Sequence, residues 1–202
     1  MKKFLSMALI AAMTLSLAAC GGNSGNEADS TGADNASSDK TYVIATDTVF
    51  APFEFTDENN EFVGIDVDIL AAIAEDQGFK YELNSLGFDA AVASLESGQS
   101  DAVIAGMSIT PERQEKYDFS DSYYDSYVAI AAAEGSDIQG LDDLQGQTVA
   151  AKTGTQGASC AESLKDQYGF EIQYFDESSL MYQDGVTGNT VACFEDYPVM
   201  AY

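Results

Sequence analysis

Histidine and tryptophan are absent from this chain of 202 residues, and arginine occurs once. Without histidine there is no Ser-His-Asp or Cys-His nucleophile pair and no histidine-ligated zinc. The three cysteines, Cys20, Cys160 and Cys193, are too few and too scattered for a metal knuckle. No metal site and no cofactor is expected. Positive charge is scarce as well: 8 basic side chains stand against 34 acidic ones, a formal charge of −26. A phosphate backbone would be repelled by such a surface, so nucleic acid is a poor partner. What is present is apolar content of 46%, enough for real cores in one or two domains.

The start reads "MKKFLSMALIAAMTLSLAAC", with Lys2 and Lys3 ahead of an apolar run from Phe4 to Ala19. The run is short for a membrane span and its flanks suit a secretory signal. Leu17-Ala18-Ala19-Cys20 resembles a bacterial lipobox, which implies lipidation of Cys20 and retention at a membrane surface. The plainer alternative is an ordinary signal with a chance cysteine. Removing residues 1–20 would leave 6 basic against 34 acidic residues, or −28. Residues 21–39 hold no apolar side chain larger than alanine, so 21–40 reads as a flexible tether reaching about 25 Å.

From Thr41 the pattern alternates between strands and helices. "TYVIA" predicts a strand, and Ile65, Ile69, Ala72 and Ile73 recur at helical spacing up to a stop at Gly78. "FKYEL" (79–83), "DAVIAG" (101–106), "SYVAIAAA" (126–133), "TVAAK" (148–152), "EIQYF" (171–175) and "VACFED" (191–196) read as further strands. Helices are expected at 88–97, from about Thr155 to Gly169, and at 178–187, with a short one in "TPERQEK" capped by Thr110. Such alternation predicts an α/β fold with mainly parallel sheets. Two units joined by an extended stretch predict lobe 1 at 41–122, a hinge at 123–127 and lobe 2 at 128–202.

Six segments in this order carry a resemblance: "ATDTVFAPFEF" (45–55), "GIDVDIL" (64–70), "AGMSITPER" (105–113), "YDFSDSYY" (117–124), "AKTGT" (151–155) and "FEDYP" (194–198). The chain resembles the polar amino-acid-binding proteins of ABC importers, solute-binding protein family 3, and is most similar to their glutamine-binding branch. The likeness runs from about Thr41 to the end. It implies a two-lobed periplasmic-binding-protein-like fold that closes on one amino acid, an ABC permease as partner, a membrane-anchored location outside the cytoplasm and a monomer. It also implies a chain that continues past "YPVMAY", so the fold is expected to be C-terminally incomplete.

The site residues follow from the same matches. Arg113, the lone guanidinium, would clamp the ligand carboxylate with two parallel bonds, a geometry lysine cannot supply. The plain alternative pairs Arg113 with Glu112 or Glu115 at the surface. Ser108 and the Gly106 carbonyl would meet the ligand backbone. Thr155, at a strand-to-helix junction, would add a hydroxyl donor to an anion-friendly helix start, or be simply an N-cap. Asp196, beyond the carboxyl end of its strand, would pair with the ligand ammonium. Phe50 and Phe88 would wall the aliphatic portion, although aromatics there are usually core. Asp47, Lys152 and Glu195 are the candidates for reading the ligand side chain. In the glutamine-binding branch the matches of Asp47 and Lys152 accept from and donate to the side-chain amide. The family's enteric glutamine receptor has histidine at the position of Glu195, and an acid there could favour a basic side chain or pair with Lys152. Cys160 and Cys193 could form a disulfide or stay as two thiols.

The expected function is capture of a polar L-amino acid, glutamine first, and its delivery to a permease. One alternative is a cyclohexadienyl-dehydratase-like enzyme on the same fold with Glu195 as general acid. The other is a sensory or adhesive lipoprotein.

Overall fold

The computed structural model describes residues 40–202. The expected signal peptide, its Cys20 and nearly all of the expected tether lie outside the described residues.

The first half is built on a parallel sheet. β1 (Thr41–Thr46) lies between β4 (Lys80–Ser85) and β5 (Ala102–Val103), while β2 (Phe55–Thr56) and β3 (Phe62–Val63) form a small antiparallel hairpin. The turn cluster "DENN" closes that hairpin: Asp57 Oδ1 accepts from the amides of Asn59 and Glu61 at 2.8 Å each. Helices α1 (Ile65–Gln77) and α2 (Phe88–Glu96) cross between the strands, and α3 (Pro111–Gln114) follows the last of them. In α1, Asp66 and Asp68 face the positive helix end, and Gly78 closes it in the left-handed conformation at φ 68°. Its buried stripe is Asp66, Leu70 and Ala74. The isoleucine stripe expected from sequence is instead half-buried or exposed: Ile69 and Ile73 border a broad groove with Leu95, Ile104 and Phe119. The helix is where periodicity puts it, but rotated so that an aspartate faces inward.

The second half is a four-stranded sheet in the order β6-β9-β7-β8, with β6 at Val128–Ala132, β7 at Thr148–Lys152, β8 at Glu171–Phe175 and β9 at Ala192–Asp196. β7 pairs in parallel with both β8 and β9; β6 runs antiparallel to β9. Helices α4 (Gln156–Tyr168) and α5 (Ser178–Thr187) cover it, and α6 (Tyr197–Ala201) follows β9 directly. Val149, Ala150 and Ala151 are fully buried, which explains why "TVAAK" is a continuous apolar run: both of its faces are covered. Phe170, Phe194, Leu144, Ala158 and Ala161 complete this core. Cys160 and Cys193 are both free thiols. Among the described residues, no helix is long and apolar enough to cross a membrane.

The mixed α/β architecture with mainly parallel ladders follows the sequence expectation. "DAVIAG" does not: only Ala102 and Val103 join the sheet. The antiparallel β6 and the helix α6 were not expected either.

The approach of α4 to β9 sets where their ends meet. A Cβ on Gly157 would sit 2.5 Å from the Phe194 carbonyl oxygen, a contact that only a shift of backbone could relieve. Alanine normally favours a helix over glycine by about 0.5–1 kcal/mol. Here Gly157→Ala is expected to destabilise the fold, by about 1–3 kcal/mol through overpacking. Urea unfolding of the two proteins measures the sign.

Candidate functional site

The carboxyl ends of β1, β5, β7 and β9 point toward one place, and residues just beyond them line a small cavity. Its lining is Asp47, Phe50, Phe88, Ala105, Gly106, Met107, Ser108, Arg113, Thr155, Gln156 and Asp196. Eight of the ten ligand-binding residues expected from sequence are in that set. The other two, Lys152 and Glu195, are buried beside it and do not line it. The space is about 10 Å³, room for one water molecule.

Arg113 is held across the two halves. Thr110 caps its short helix by accepting from the Arg113 amide at 3.3 Å. Nη1 donates to the Ser108 carbonyl at 2.8 Å, and Nη2 donates to the Gly154 carbonyl at 3.0 Å. The guanidinium carbon lies 5.6 Å from the centre of the Phe88 ring, so an aromatic face supports the cation. Burial lowers its pKa while Asp196 opposes the shift, and a guanidinium in this range stays charged. No ion pair to Glu112 or Glu115 forms. Ser108 therefore meets the arginine through its backbone oxygen.

Asp196 ends β9 and is only 6% exposed. Ser126 donates to its Oδ1 at 3.4 Å. Burial raises its pKa; Ser126, Arg113 and Lys152 pull in the opposite direction. Thr155 is the N-cap of α4: Oγ1 accepts from the Ala158 amide at 3.2 Å and donates to the Lys152 carbonyl at 2.7 Å. Its proton is committed to the chain itself. Gly106 sits at φ 53° against the Phe50 ring, where an added Cβ would lie 2.9 Å from a ring carbon. Any side chain there would displace the wall.

Asp47 and Lys152 form a buried ion pair, each side chain 1% exposed, from the ends of β1 and β7. The Thr48 amide donates to Asp47 Oδ1 at 2.6 Å, and the Lys152 ammonium lies 5.1 Å from the Phe50 ring centre. Behind them Glu195 has both oxygens occupied, by the Ser178 hydroxyl at 2.7 Å and the Asp196 amide at 3.0 Å. Burial raises its pKa despite those donors. Glu195 thus bonds to Ser178 and makes no ion pair with Lys152.

Sequence reasoning missed Ala105, Met107 and Gln156, which flank residues it did name. It also missed a second acidic group behind Gly106, Glu54 with Asp66, both fully buried. The available signal was the helical spacing of Asp66 with Leu70 and Ala74.

Breaking the Asp47–Lys152 pair from one side leaves an uncompensated buried charge. Lys152→Met and Asp47→Leu are each expected to cost about 3–5 kcal/mol, and the double variant less than their sum. A double-mutant cycle by urea denaturation measures the coupling.

Comparisons with known proteins identify the family. The family model of bacterial extracellular solute-binding proteins, family 3, matches residues 42–190. The arginine-binding extracellular protein ArtP of Bacillus subtilis (strain 168) is 36% identical over 174 residues, 86% of this chain; the chain spans 64% of that relative's length. A solved structure of an ancestral arginine-binding protein bound to arginine superposes with a TM-score of 0.75 at 36% identity, covering 80% of this chain and 72% of that one. An ancestral arginine-binding protein bound to glutamine gives 0.74 at 37% identity, with the same coverage. The chain belongs to the bacterial extracellular solute-binding proteins, family 3.

Proposed function

We propose that this protein is a receptor that captures one polar L-amino acid, glutamine foremost, between two lobes (41–122 and 128–202) hinged at 123–127, and delivers it to an ABC permease. Cleavage before Cys20 and lipidation of that residue would hold it, as a monomer without cofactor, at the outer face of the cell membrane. The observation that carries the reading is the cavity itself. One guanidinium, Arg113, and one carboxylate, Asp196, come from different halves of the chain and face the same space. Together they are the two countercharges of a zwitterion, and a buried zwitterion needs both. Ligand carboxylate would replace the Ser108 and Gly154 carbonyls as the partner of Arg113. The amides at the start of α4 add positive potential there.

The space of one water is too small for an amino acid, so the walls must part for entry and close afterwards. A ligand contacting both halves favours the closed arrangement by its differential affinity. Glutamine is the first choice because Asp47 and Lys152 offer one acceptor and one donor to a side-chain amide. A side chain that parted the two while lacking either group would leave a buried polar partner unpaired.

A second reading, a cationic side chain such as that of arginine, is favoured by one observation. Asp47 lines the cavity whereas Lys152 does not. The lining then presents two carboxylates and one guanidinium, a balance that a cationic ligand would neutralise. The dehydratase alternative is disfavoured by Glu195, which lies outside the cavity lining with both oxygens bonded. Nothing in the site favours a purely sensory or adhesive role.

Two measurements separate these readings. In a thermal-shift screen of the twenty amino acids, the true ligand at a hundredfold excess over its Kd stabilises by about 2.7 kcal/mol. A flat panel removes the receptor reading, and L-arginine binding tenfold tighter than L-glutamine replaces the first choice by the second. In calorimetry, Arg113→Lys is expected to weaken binding of the selected amino acid by about thirtyfold, a loss of about 2 kcal/mol. Unchanged affinity would remove Arg113 from the site.

A further inference from the structure

Behind the cavity wall lies a pair of acids that the proposed binding role does not use. Glu54 and Asp66 are both fully buried. They are brought together by the start of α1: the Ile65 amide donates to the Pro52 carbonyl at 3.0 Å and the Asp66 amide to the Phe53 carbonyl at 2.9 Å. One Asp66 oxygen, Oδ2, accepts from the Gly106 amide at 2.6 Å. Among the described residues, its other oxygen and both oxygens of Glu54 lack a hydrogen-bond partner, and Tyr123 is the one hydroxyl that approaches Asp66. The two carboxyls face one another within hydrogen-bond reach. As two anions they would repel in a site without water, and each empty acceptor would carry its desolvation cost. One proton between them removes the repulsion and supplies the missing donor.

We propose that Glu54 carries that proton and donates to Asp66, and that the pair acts as the positioning device of the ligand seat by holding the Gly106 peptide at the cavity wall. Gly106 is a lining residue whose amide is held by a buried carboxylate. With the N–H anchored, its peptide plane cannot rotate. The inference deepens the receptor reading and rests on it only for the affinity measurement below.

The surroundings agree on which acid keeps the proton. Burial is the main cause that raises Glu54, to about 10; Asp66 and Asp47 add to it, and Lys152 opposes it. Asp66 is raised by burial too, but the Gly106 amide favours its charged form. Tyr123, from the irregular segment before β6, faces the same acids and is pushed far up, so its hydroxyl stays protonated. Asp47, Asp66, Lys152 and Tyr123 are thus the groups that face Glu54. Folding takes up a proton between the ordinary carboxyl range near 4.5 and about 10. Stability accordingly falls as pH rises through that window, by up to about tenfold in the folding constant per pH unit.

The test uses the 202-residue chain, Glu54→Gln and Asp66→Asn. Infrared spectra at pH 7 are expected to contain a protonated-carboxyl carbonyl band that is missing from Glu54→Gln and that disappears from the parent near pH 10. Between pH 6 and 9 the thermal stability of Glu54→Gln should fall less steeply than that of the parent, since the amide keeps the donor without titrating. By NMR, the Gly106 amide proton should lie far downfield in the parent and in Glu54→Gln. In Asp66→Asn it should move upfield and exchange at least about tenfold faster, with L-glutamine binding about tenfold weaker. A parent spectrum without the acid band, or a Gly106 amide unmoved by Asp66→Asn, overturns the proposal. If the infrared and NMR results hold while L-glutamine binds to neither protein, the receptor's ligand is wrong and the acid pair stands.

Discussion

The ion pair between Asp47 and Lys152 is the constraint around which the described structure is arranged. Each side chain is 1% exposed, and neither could sit at such depth alone. Asp47 follows β1 and Lys152 ends β7, so the pair joins the carboxyl end of one sheet to the carboxyl end of the other. Its requirement for full burial and close approach fixes the distance between those strand ends. Three features of the cavity follow from it. Phe50 lies beneath the ammonium, Thr155 ties down the Lys152 backbone through its hydroxyl, and Thr48 satisfies the second Asp47 oxygen. Arg113 bridges the same two halves through the Gly154 carbonyl, two residues beyond Lys152.

Around that pair the interior holds more acid than base. Asp47, Glu54, Asp66, Glu195 and Asp196 are buried, against Lys152 and the half-buried Arg113. Fully ionised, this set would carry an excess negative charge in a medium that tolerates little. Burial raises the pKa values of Glu54, Asp66, Glu195 and Asp196, which eases that excess. The distribution is uneven in a useful way. Asp196 is the one among these four whose shift is opposed by both Arg113 and Lys152, and it is also the one that lines the cavity. The cations therefore favour charge where an ammonium would be met, while Glu54, pushed up to about 10, keeps its proton behind the wall.

Much of this was legible because the sequence signals were local. "TVAAK" is apolar throughout since β7 is covered on both faces, and Gly154 with Thr155 marks the strand-to-helix junction that the site needs. The lone arginine stood out only because it fell in "SITPER". Other parts were hidden for physical reasons. Pro198 reads as a breaker, yet in the first turn of α6 its missing amide costs nothing, so "YPVMA" is helical and Val199 packs on Phe50 and Phe53. "DAVIAG" leaves its sheet after Val103 because Ala105 and Gly106 turn to the cavity, with the Ile104 amide as the last bond to β1. The isoleucines of α1 outweighed Asp66 in the apolar pattern, although tertiary packing buries the aspartate. Among 34 acids nothing in composition marks Glu54 or Asp66 as buried. Hydroxyl orientation is equally silent in sequence: of the two roles expected for Thr155, a donor to the ligand or an N-cap, the N-cap is the one seen, with its proton given to the Lys152 carbonyl.

The contacts that cross between the halves differ in how readily they can be exchanged. Val199 on Phe50 and Phe53 is an apolar contact, and parting it exposes surface without leaving a charge unpaired. Arg113 on Gly154 is a hydrogen bond to a neutral carbonyl, which a ligand carboxylate would replace with a stronger, charge-assisted pair. Asp47 on Lys152 is different: separation in a dry interior is prohibitive, and only water or a polar side chain arriving between them makes it feasible. In the proposed receptor, opening admits water to this pair, and closing on an amino acid expels it. The ligand then has to satisfy Asp47 and Lys152 or leave them bonded to each other. A side chain too short or too apolar to reach them loses nothing, whereas one that intrudes without both a donor and an acceptor leaves a buried charge exposed to hydrocarbon. In the proposed receptor, selectivity would thus originate in the ion pair between Asp47 and Lys152.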